Sequence, residues 1–512
     1  MSDIWASLLG LGDKLAAHVL LSASAIALGI LVALPLAIWA SRSETVARAA
    51  LGFASLVQTI PALALLALFF PILLSLRAVF GEGLPTLGFL PALLALALYA
   101  LLPILRNAVT AQANLDPGVL EAADGVGMSF WQRLRLVEAP LAAPYIMAGI
   151  RTAAVWTIGA ATLATTIGQP SLGDPIFAGL QTQNWVLVLS GCLASAGLAL
   201  LADALLGTIE RGLATRRRRL TFGGLGAVAL GILAALTVQF GGTRDEDRIT
   251  IGAKGFSEQY ILARLIGQRL EAAGYAVDYR DGLGSAVAHR AVSTGAIDIL
   301  VDYTGTIWTN QMDRADNPER DAMLDEIVAW ETRTSGTHVL GRLGFENAYG
   351  LAMPRARADS GGFASIADLA ARGQGMTIGG DPEFFERPEW IAVRDAYGLR
   401  FAAQRNFAPT FMYNALRSGE ADVIGAYTSD GRIAADDLLI LEDPAGAFPN
   451  YDAIVLIAPE AGRDERLREV LRPLVGAIDV AAMREANLSV DREEDKLSFD
   501  EAARRLAARA GL

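Results

Sequence analysis

The sequence predicts an α-helical membrane domain of about six spans followed by an α/β domain, and three observations predict it. Charge is split along the chain. Residues 1–242 hold 13 Lys+Arg and 11 Asp+Glu, a net of +2, whereas residues 243–512 hold 30 and 44, a net of −14. Apolar runs long enough to cross a bilayer, roughly 20 residues, occur only in the first half. The second half alternates strand-like and amphipathic helical segments, the pattern of a mainly parallel sheet covered by helices. A chain of 512 residues that is 53% hydrophobic fits two domains in two solvents.

The apolar runs fall near 15–40, 49–76, 86–109, 141–168, 185–209 and 221–240. The first lacks a basic start and is too long for a signal-peptide core, so it reads as a retained span. Pro61 and Pro71 interrupt the second, which membrane helices tolerate where neighbours cover the freed carbonyls. Basic residues then set orientation. Arg42 and Arg48 follow span one, Arg106, Arg133 and Arg135 follow span three, and Arg211 with Arg216 to Arg219 follow span five. By the positive-inside rule these loops are cytoplasmic. The N-terminus and everything after Phe240 are then extracytoplasmic. The link "GGTRDEDR" (241–248) is short and holds the second domain close to the membrane surface.

From Ile249, "ITIGAK" reads as a strand and "SEQYILARLIGQRLEAAG" as a helix with Ser257 as its N-cap. "YAVDYR", "IDILVDY", "MTIGGD" and "ADVIGAY" read as further strands. Ligands in such sheets sit beyond the carboxyl ends of strands, so the residues following each strand are the candidates. Lys254 follows the first, in a chain with only three lysines (Lys14, Lys254 and Lys496). Surface charge and a ligand carboxylate both account for it. Tyr303, Tyr349, Tyr427 and Tyr451 also stand at strand ends. Singly each is core or rim. Together they can surround a quaternary ammonium, at about 0.5–2 kcal/mol per cation–π contact.

Several classes are disfavoured. An acidic soluble half repels nucleic acid. His18, His289 and His338 lie far apart and show no metal spacing, and the one cysteine, Cys192, excludes an intrachain disulfide. No nucleophile elbow or Gly-rich nucleotide loop is found, so no catalytic residue and no cofactor is assigned. None of the three lysines follows Gly and precedes Ser or Thr, so a P-loop is absent.

The polar stretch "EAADGVGMSFWQRLRLVEAP" (121–140) lies between the third and fourth apolar runs. Asp116-Pro117 starts one helix, which stops near Gly125–Gly127. Ser129 and Gln132 form a capping box for a second, and Pro140 and Pro144 bound the return to the membrane. Glu121, Ala122, Ala123, Gly127, Val137 and Pro140 resemble the cytoplasmic signature of ABC importer permeases, with Ala139 where Leu is usual. The resemblance covers about residues 15–212, including "QTIPALALLAL" and "IGQPSLGDPIFAGL". It implies that the stretch docks on a separate ATPase subunit and that two permease copies form the pathway.

Residues 249–510 resemble substrate-binding proteins of the glycine betaine/choline/carnitine (osmoprotectant) uptake family, through "IGAKGFSEQYIL", "GSAVAHRAVSTGAIDILVDYTGT", "EFFERPEW", "AYTSDGRI" and "FPNYDAIVL". The resemblance implies a two-lobed, periplasmic-binding-protein-like α/β domain. Tyr303, Tyr349, Tyr427 and Tyr451 would form an aromatic box, and Lys254, Thr306 and Arg387 would hold a carboxylate. From the residues alone, Arg387 equally suits an ion pair with Glu386 or Glu389, and Thr306 a helix cap.

The organisation expected is therefore a permease domain (1–212, five spans), a sixth span with a short linker (213–248) and an extracytoplasmic substrate-binding domain (249–512) in a multi-pass inner-membrane protein. The cargo expected is a quaternary-ammonium zwitterion such as glycine betaine, choline or carnitine. Ergothioneine or another betaine suits the same cage. A ligand-gated receptor or channel is the rival from another class, and it requires no docking helix.

Overall fold

The computed structural model describes residues 2–81, 84–181, 184–240, 248–314, 316–381, 384–407, 409–492 and 494–512. The chain divides into two compact units, Met1–Ile176 with Val186–Arg244, and Phe177–Trp185 with Asp245–Leu512. Residues 241–247, on which the expectation of a short link rests, lie outside the described residues.

The first unit is helical. Among the described residues, six helices are long and apolar enough to cross a membrane: Gly12–Ala40, Ala62–Phe80, Phe89–Ala113, Phe130–Ile167, Trp185–Ala214 and Arg218–Phe240. The second differs from expectation. The apolar run 49–76 is divided between the helix Glu44–Thr59 and the helix Ala62–Phe80. The break falls at Ile60, whose ψ of 126° is extended, because a residue before proline is pushed out of the helical region. Pro71, by contrast, sits inside its helix without ending it.

Helices in this unit pack through small residues, as expected where lipid offers no hydrophobic drive between spans. Ala25, Ala92, Ala95 and Ala161 are buried in one cluster, and Ala33, Ala37, Ala54, Ala100 and Ala153 in another. A Cβ at Gly149 would lie 2.7 Å from the Cβ of Asn107, so these helices meet nearly backbone to backbone. His18 is fully buried. The Leu172 N–H donates to its Nδ1 at 3.2 Å, which leaves Nε2 to carry the proton toward the Ile158 carbonyl at 3.0 Å.

The second unit holds two sheets. The first has the order β2-β1-β3-β10-β4, from β1 (Arg248–Lys254), β2 (Ala276–Leu283), β3 (Ile299–Tyr303), β4 (His338–Glu346) and β10 (Asp452–Ile457). The other has the order β7-β6-β8-β5-β9, from β5 (Tyr349–Pro354), β6 (Thr377–Gly380), β7 (Ala403–Asn406), β8 (Val423–Tyr427) and β9 (Leu438–Ile440). Each is less parallel than expected. Strands β1–β3 pair in parallel, as do β6–β8, but β10 runs antiparallel to β3 and β4, and β5 antiparallel to β8 and β9. The antiparallel strands are those by which the chain changes sheets, β5 after β4 and β10 after β9. Such a strand enters its new sheet from the shared side, without the crossover helix that parallel pairing requires.

Two residues, Asn347 and Ala348, make the first crossing. The Asn347 N–H donates to the Tyr451 carbonyl at 2.9 Å, which ties this crossing to the end of the second. Ser257 is the first residue of its helix but not its cap. Its hydroxyl donates instead to Asp491 at 2.6 Å.

In β8, a Cβ on Gly425 would fall 2.6 Å from the ring of Phe384, which is itself buried. Overpacking of this kind costs about 1–3 kcal/mol. Gly425→Ala is therefore expected to lower the stability of residues 249–512 by that amount, read from the urea-unfolding midpoint at unchanged slope.

Candidate functional site

A cavity of about 350 Å³ lies between the two sheets. All seven ligand-binding residues expected from sequence line it: Tyr303, Tyr349, Tyr427, Tyr451, Lys254, Thr306 and Arg387. The topology explains the convergence. Lys254, Tyr303 and Thr306 stand at or just after the carboxyl ends of β1 and β3, and Tyr427 at that of β8. Arg387 caps the helix that follows β6. Tyr349 opens β5 and Tyr451 precedes β10, the strands that follow the crossings. Each sheet thus contributes two tyrosines.

The rings form one connected group. Tyr349 and Tyr427 have centroids 4.9 Å apart, and Tyr349 and Tyr451 meet edge to face at 5.9 Å. Phe256, missed by the sequence reading, lies 6.3 Å from Tyr303 and 6.4 Å from Tyr427, parallel to the latter within 4°. Its signal was present, since it stands two residues after Lys254 at the same strand end.

The phenols are also connected. Tyr303 donates to Glu258 Oε1 at 2.6 Å, Tyr427 to Asp381 Oδ2 at 2.9 Å, and Tyr451 to Glu389. The hydroxyl of Tyr349 lies 3.1 Å from that of Tyr427. Burial pushes the Tyr303, Tyr427 and Tyr451 hydroxyls well above the ordinary phenol range, and the neighbouring anions push the same way. All three keep their protons as donors.

The cations are less simple than the sequence suggested. Lys254 is 3% exposed and its ammonium lies 2.5 Å from Asp302, which is fully buried. Lys254 is therefore neither surface charge nor a free ammonium, and a ligand carboxylate would share it with Asp302. Arg387 lies 3.7 Å from Glu389 and 5.4 Å from the centroid of Tyr349. The pair with Glu389 is thus present, with Glu389 buried and Arg387 partly so. Thr306 is buried and lies within a short helix of Thr304–Thr306, whose N-cap is Tyr303.

In the wall of the cavity Glu258 collects donors from several segments. Its carboxylate accepts from Tyr303, from Asn347 at 3.1 Å and from Asn487 at 3.1 Å. Desolvation raises its pKa against these hydrogen bonds.

In the first unit the 121–140 stretch also forms as expected in part. Asp116 caps the helix Pro117–Gly125, and Ser129 and Gln132 make the capping box of the next. Glu121, Ala122 and Pro140 are exposed and Ala123 is buried. Gly127 has φ +77°, a conformation that glycine adopts without strain. Arg133 joins the two helices, donating to Asp124 at 2.7 Å and to Glu138 at 2.8 Å. Pro140 and Pro144 do not bound the helix. They lie within Ala139–Ala161, which continues from Phe130 through one wide turn, Leu134–Glu138. That turn bonds the Ala139 N–H to the Leu134 carbonyl, five residues back, and brings the chain past Pro140, which has no N–H to bond. Trp131 (72% exposed), Leu136 and Val126 leave an apolar surface on the protrusion.

Residues 247–508 match the family model described as the substrate binding domain of ABC-type glycine betaine transport system. Residues 25–215 match the binding-protein-dependent transport system inner membrane component. The chain is 31% identical over 457 residues to the ergothioneine transport permease/ergothioneine binding protein EgtU of Helicobacter pylori, covering 85% of this chain and 79% of that protein. It is 42% identical over 198 residues to the glycine betaine/carnitine/choline transport system permease protein OpuCB of Bacillus subtilis (39% of this chain, 86% of that one). A glycine-betaine-binding protein of Pseudomonas aeruginosa is 31% identical over 274 residues, 49% of this chain and 85% of its own.

Asp491 also lines the cavity, beside Arg432 and Asp430. Desolvation, with Asp430 adding to it and Arg432 opposing it, pushes its carboxyl from 3.8 up to about 6. The native state then holds this proton more tightly than the unfolded chain does. The resulting stability is fully present below pH 3.8 and is lost as pH rises through about 6. Asp491→Asn is expected to remove that fall, so the urea midpoint of residues 249–512 should decline less between these two pH values than in the native sequence.

Proposed function

The chain belongs to the family of ABC importers in which a binding-protein-dependent inner-membrane permease is joined to a substrate-binding domain of the glycine betaine type, and from this premise we propose the cargo, the site residues and the coupling to ATP. The protein is a multi-pass inner-membrane importer of betaine-like compounds. The cargo is a small trimethylammonium zwitterion. Tyr303, Tyr349, Tyr427 and Tyr451, with Phe256, surround the ammonium. Arg387 and Thr306 hold the carboxylate, with Lys254 sharing its charge between that group and Asp302. The observation that carries this reading is the convergence of four tyrosines, two from each sheet, beside Arg387 in one cavity.

Ergothioneine is the second reading, on a specific ground. A relative that matches this chain across both halves in one polypeptide is named for that compound. Its trimethylammonium and carboxylate place the same demands on the cage.

The binding unit is extracytoplasmic and the N-terminus lies on the same side, because the basic loops fall after spans one, three and five. Glu121, Ala122, Ala123, Gly127 and Pro140, with the exposed Trp131 and Leu136, form the surface that docks on a separate ATPase subunit. The helix Phe130–Ala161 carries displacement of that surface into the membrane. Two permease copies enclose the pathway, and hinge closure of the two-sheet unit captures the cargo. The chain performs no covalent step.

Calorimetry on residues 249–512 with glycine betaine, choline, carnitine and ergothioneine tests the cargo. At least one should bind, and no binding by any of them would end this reading. Arg387→Ala should weaken the carboxylate-bearing ligands about tenfold or more, the scale of a hydrogen bond to a charged group. Choline, which has no carboxylate, should change little.

Coupling is tested separately. Replacing Glu121 with Ala and Gly127 with Val should abolish ATP-dependent uptake in cells and leave ligand affinity intact. Unchanged uptake would favour a ligand-gated receptor or channel.

A further inference from the structure

The box tyrosines share a feature that ligand packing does not require. Three of the four phenols end on a carboxylate: Tyr303 on Glu258, Tyr427 on Asp381 and Tyr451 on Glu389. The fourth, Tyr349, is bonded to Tyr427 and so joins the Asp381 branch. The three carboxylate residues are buried, at 3%, 5% and 2% exposure. Burying a carboxylate is costly unless something compensates it. The hydrogen bonds of Glu258 all come from neutral groups, and it forms no ion pair among the described residues. Asp381 is also bound by the Phe384 N–H at 3.0 Å.

The cations nearest the rings act in the opposite sense. The Lys254 ammonium lies 5.2 Å from the Tyr303 centroid and the Arg387 guanidinium 5.4 Å from that of Tyr349. Asp302 offsets the first at 2.5 Å, and Glu389 lies 3.7 Å from the second. Without anions behind the rings, a cage so flanked would repel a cationic headgroup. A carboxylate accepting a phenol's hydrogen bond draws its proton outward and leaves more electron density on the ring, which strengthens the face a cation meets.

Resting on the proposed trimethylammonium reading, we propose that Glu258, Asp381 and Glu389 are specificity-determining residues, which set the cavity's preference for a positively charged headgroup over a neutral one of the same shape by acting through the hydroxyls of Tyr303, Tyr427 and Tyr451. Glu258 and Asp381 also line the cavity themselves, and Glu389 does not. The bound cation supplies the counter-charge that Glu258 lacks.

The test uses pairs of equal shape and different charge. The full chain in detergent micelles is titrated calorimetrically with glycine betaine and with its carbon isostere, in which a tert-butyl group replaces the trimethylammonium. The same is done with choline and its isostere. The native chain should prefer the cation by about tenfold or more, the scale of a few cation–π contacts. Glu258→Gln and Asp381→Asn should each reduce that preference by about threefold or more, by weakening the cation while the isostere changes little. Thermal unfolding confirms that each variant is folded, and if one is not, the other decides. Equal weakening of cation and isostere would assign these carboxylates a structural role and overturn the inference. An unaltered preference in a folded variant would also overturn it. A native chain that binds cation and isostere equally defeats this inference but not the proposed cargo, whereas a native chain that binds no trimethylammonium compound defeats both.

Discussion

Glu258 is a carboxylate buried to 3% exposure in the cavity wall, and much of the binding unit's centre is arranged to satisfy it. Its donors arrive from separate parts of the chain: Tyr303 at the end of β3, Asn347 in the first crossing and Asn487 in a late helix. A buried charge left without such partners costs several kcal/mol. The carboxylate thus fixes where β3 ends, where the chain changes sheets and where the helix Val480–Asp491 docks. Asn487 also donates to the Ser429 carbonyl at 3.0 Å, just beyond β8, so the same cluster reaches the second sheet.

In the membrane unit the governing constraint is the absence of water. Every backbone polar group must find a partner inside the protein, and proline removes a donor at each position it occupies. Pro61 ends one helix and frames the start of the next, while Pro140 is accommodated by a single wide turn. The charges within the spans obey the same rule. Arg151 binds Asp203 through two nitrogens, at 2.5 and 2.7 Å, and reaches Glu210 at 3.3 Å. Gly207 lies between those carboxylates, and a Cβ there would sit 3.4 Å from the guanidinium. The helix that leads from the protrusion at Phe130 is thereby held to the helix Trp185–Ala214.

What sequence made legible follows from which signals are local. Capping at Asp116 and Ser129, the apolar spans and most strands were readable because each depends on a few neighbouring residues. The tyrosines were readable as strand-end residues, since topology carries such ends to one cavity, whereas Arg387, at the N-cap of a helix, was marked only by the resemblance at "EFFERPEW". The helix break at Ile60 was marked by Pro61, yet a break and a kink look alike in sequence. The Lys254–Asp302 pair joins neighbouring strands across 48 residues, and no local pattern announces it. Phe256 carried the strand-end signal but was missed for a different reason, because one phenylalanine after a strand reads equally well as core. Glu258 stood in the quoted motif "GFSEQ" and looked like a first-turn helix acid, a common exposed role. Its burial is a property of four segments meeting, and these are far apart in the chain.

The choice of tyrosine for the box then has a physical reason. Phenylalanine offers a face but no hydrogen bond, and its ring could not be joined to an anion behind it. Tyrosine offers both, and burial keeps its proton in place across the physiological range. One of these bonds spans the two sheets. Tyr451 lies beside the first sheet, and its partner Glu389 belongs to the helix Pro388–Tyr397 that follows β6 of the second. Thr309, after β3, donates to the same carboxylate at 3.1 Å. Any separation of the sheets must break both bonds and leave Glu389 and Arg387 to water. Joining the sheets and completing the box are therefore one event, and a cation held among the rings stabilises both together.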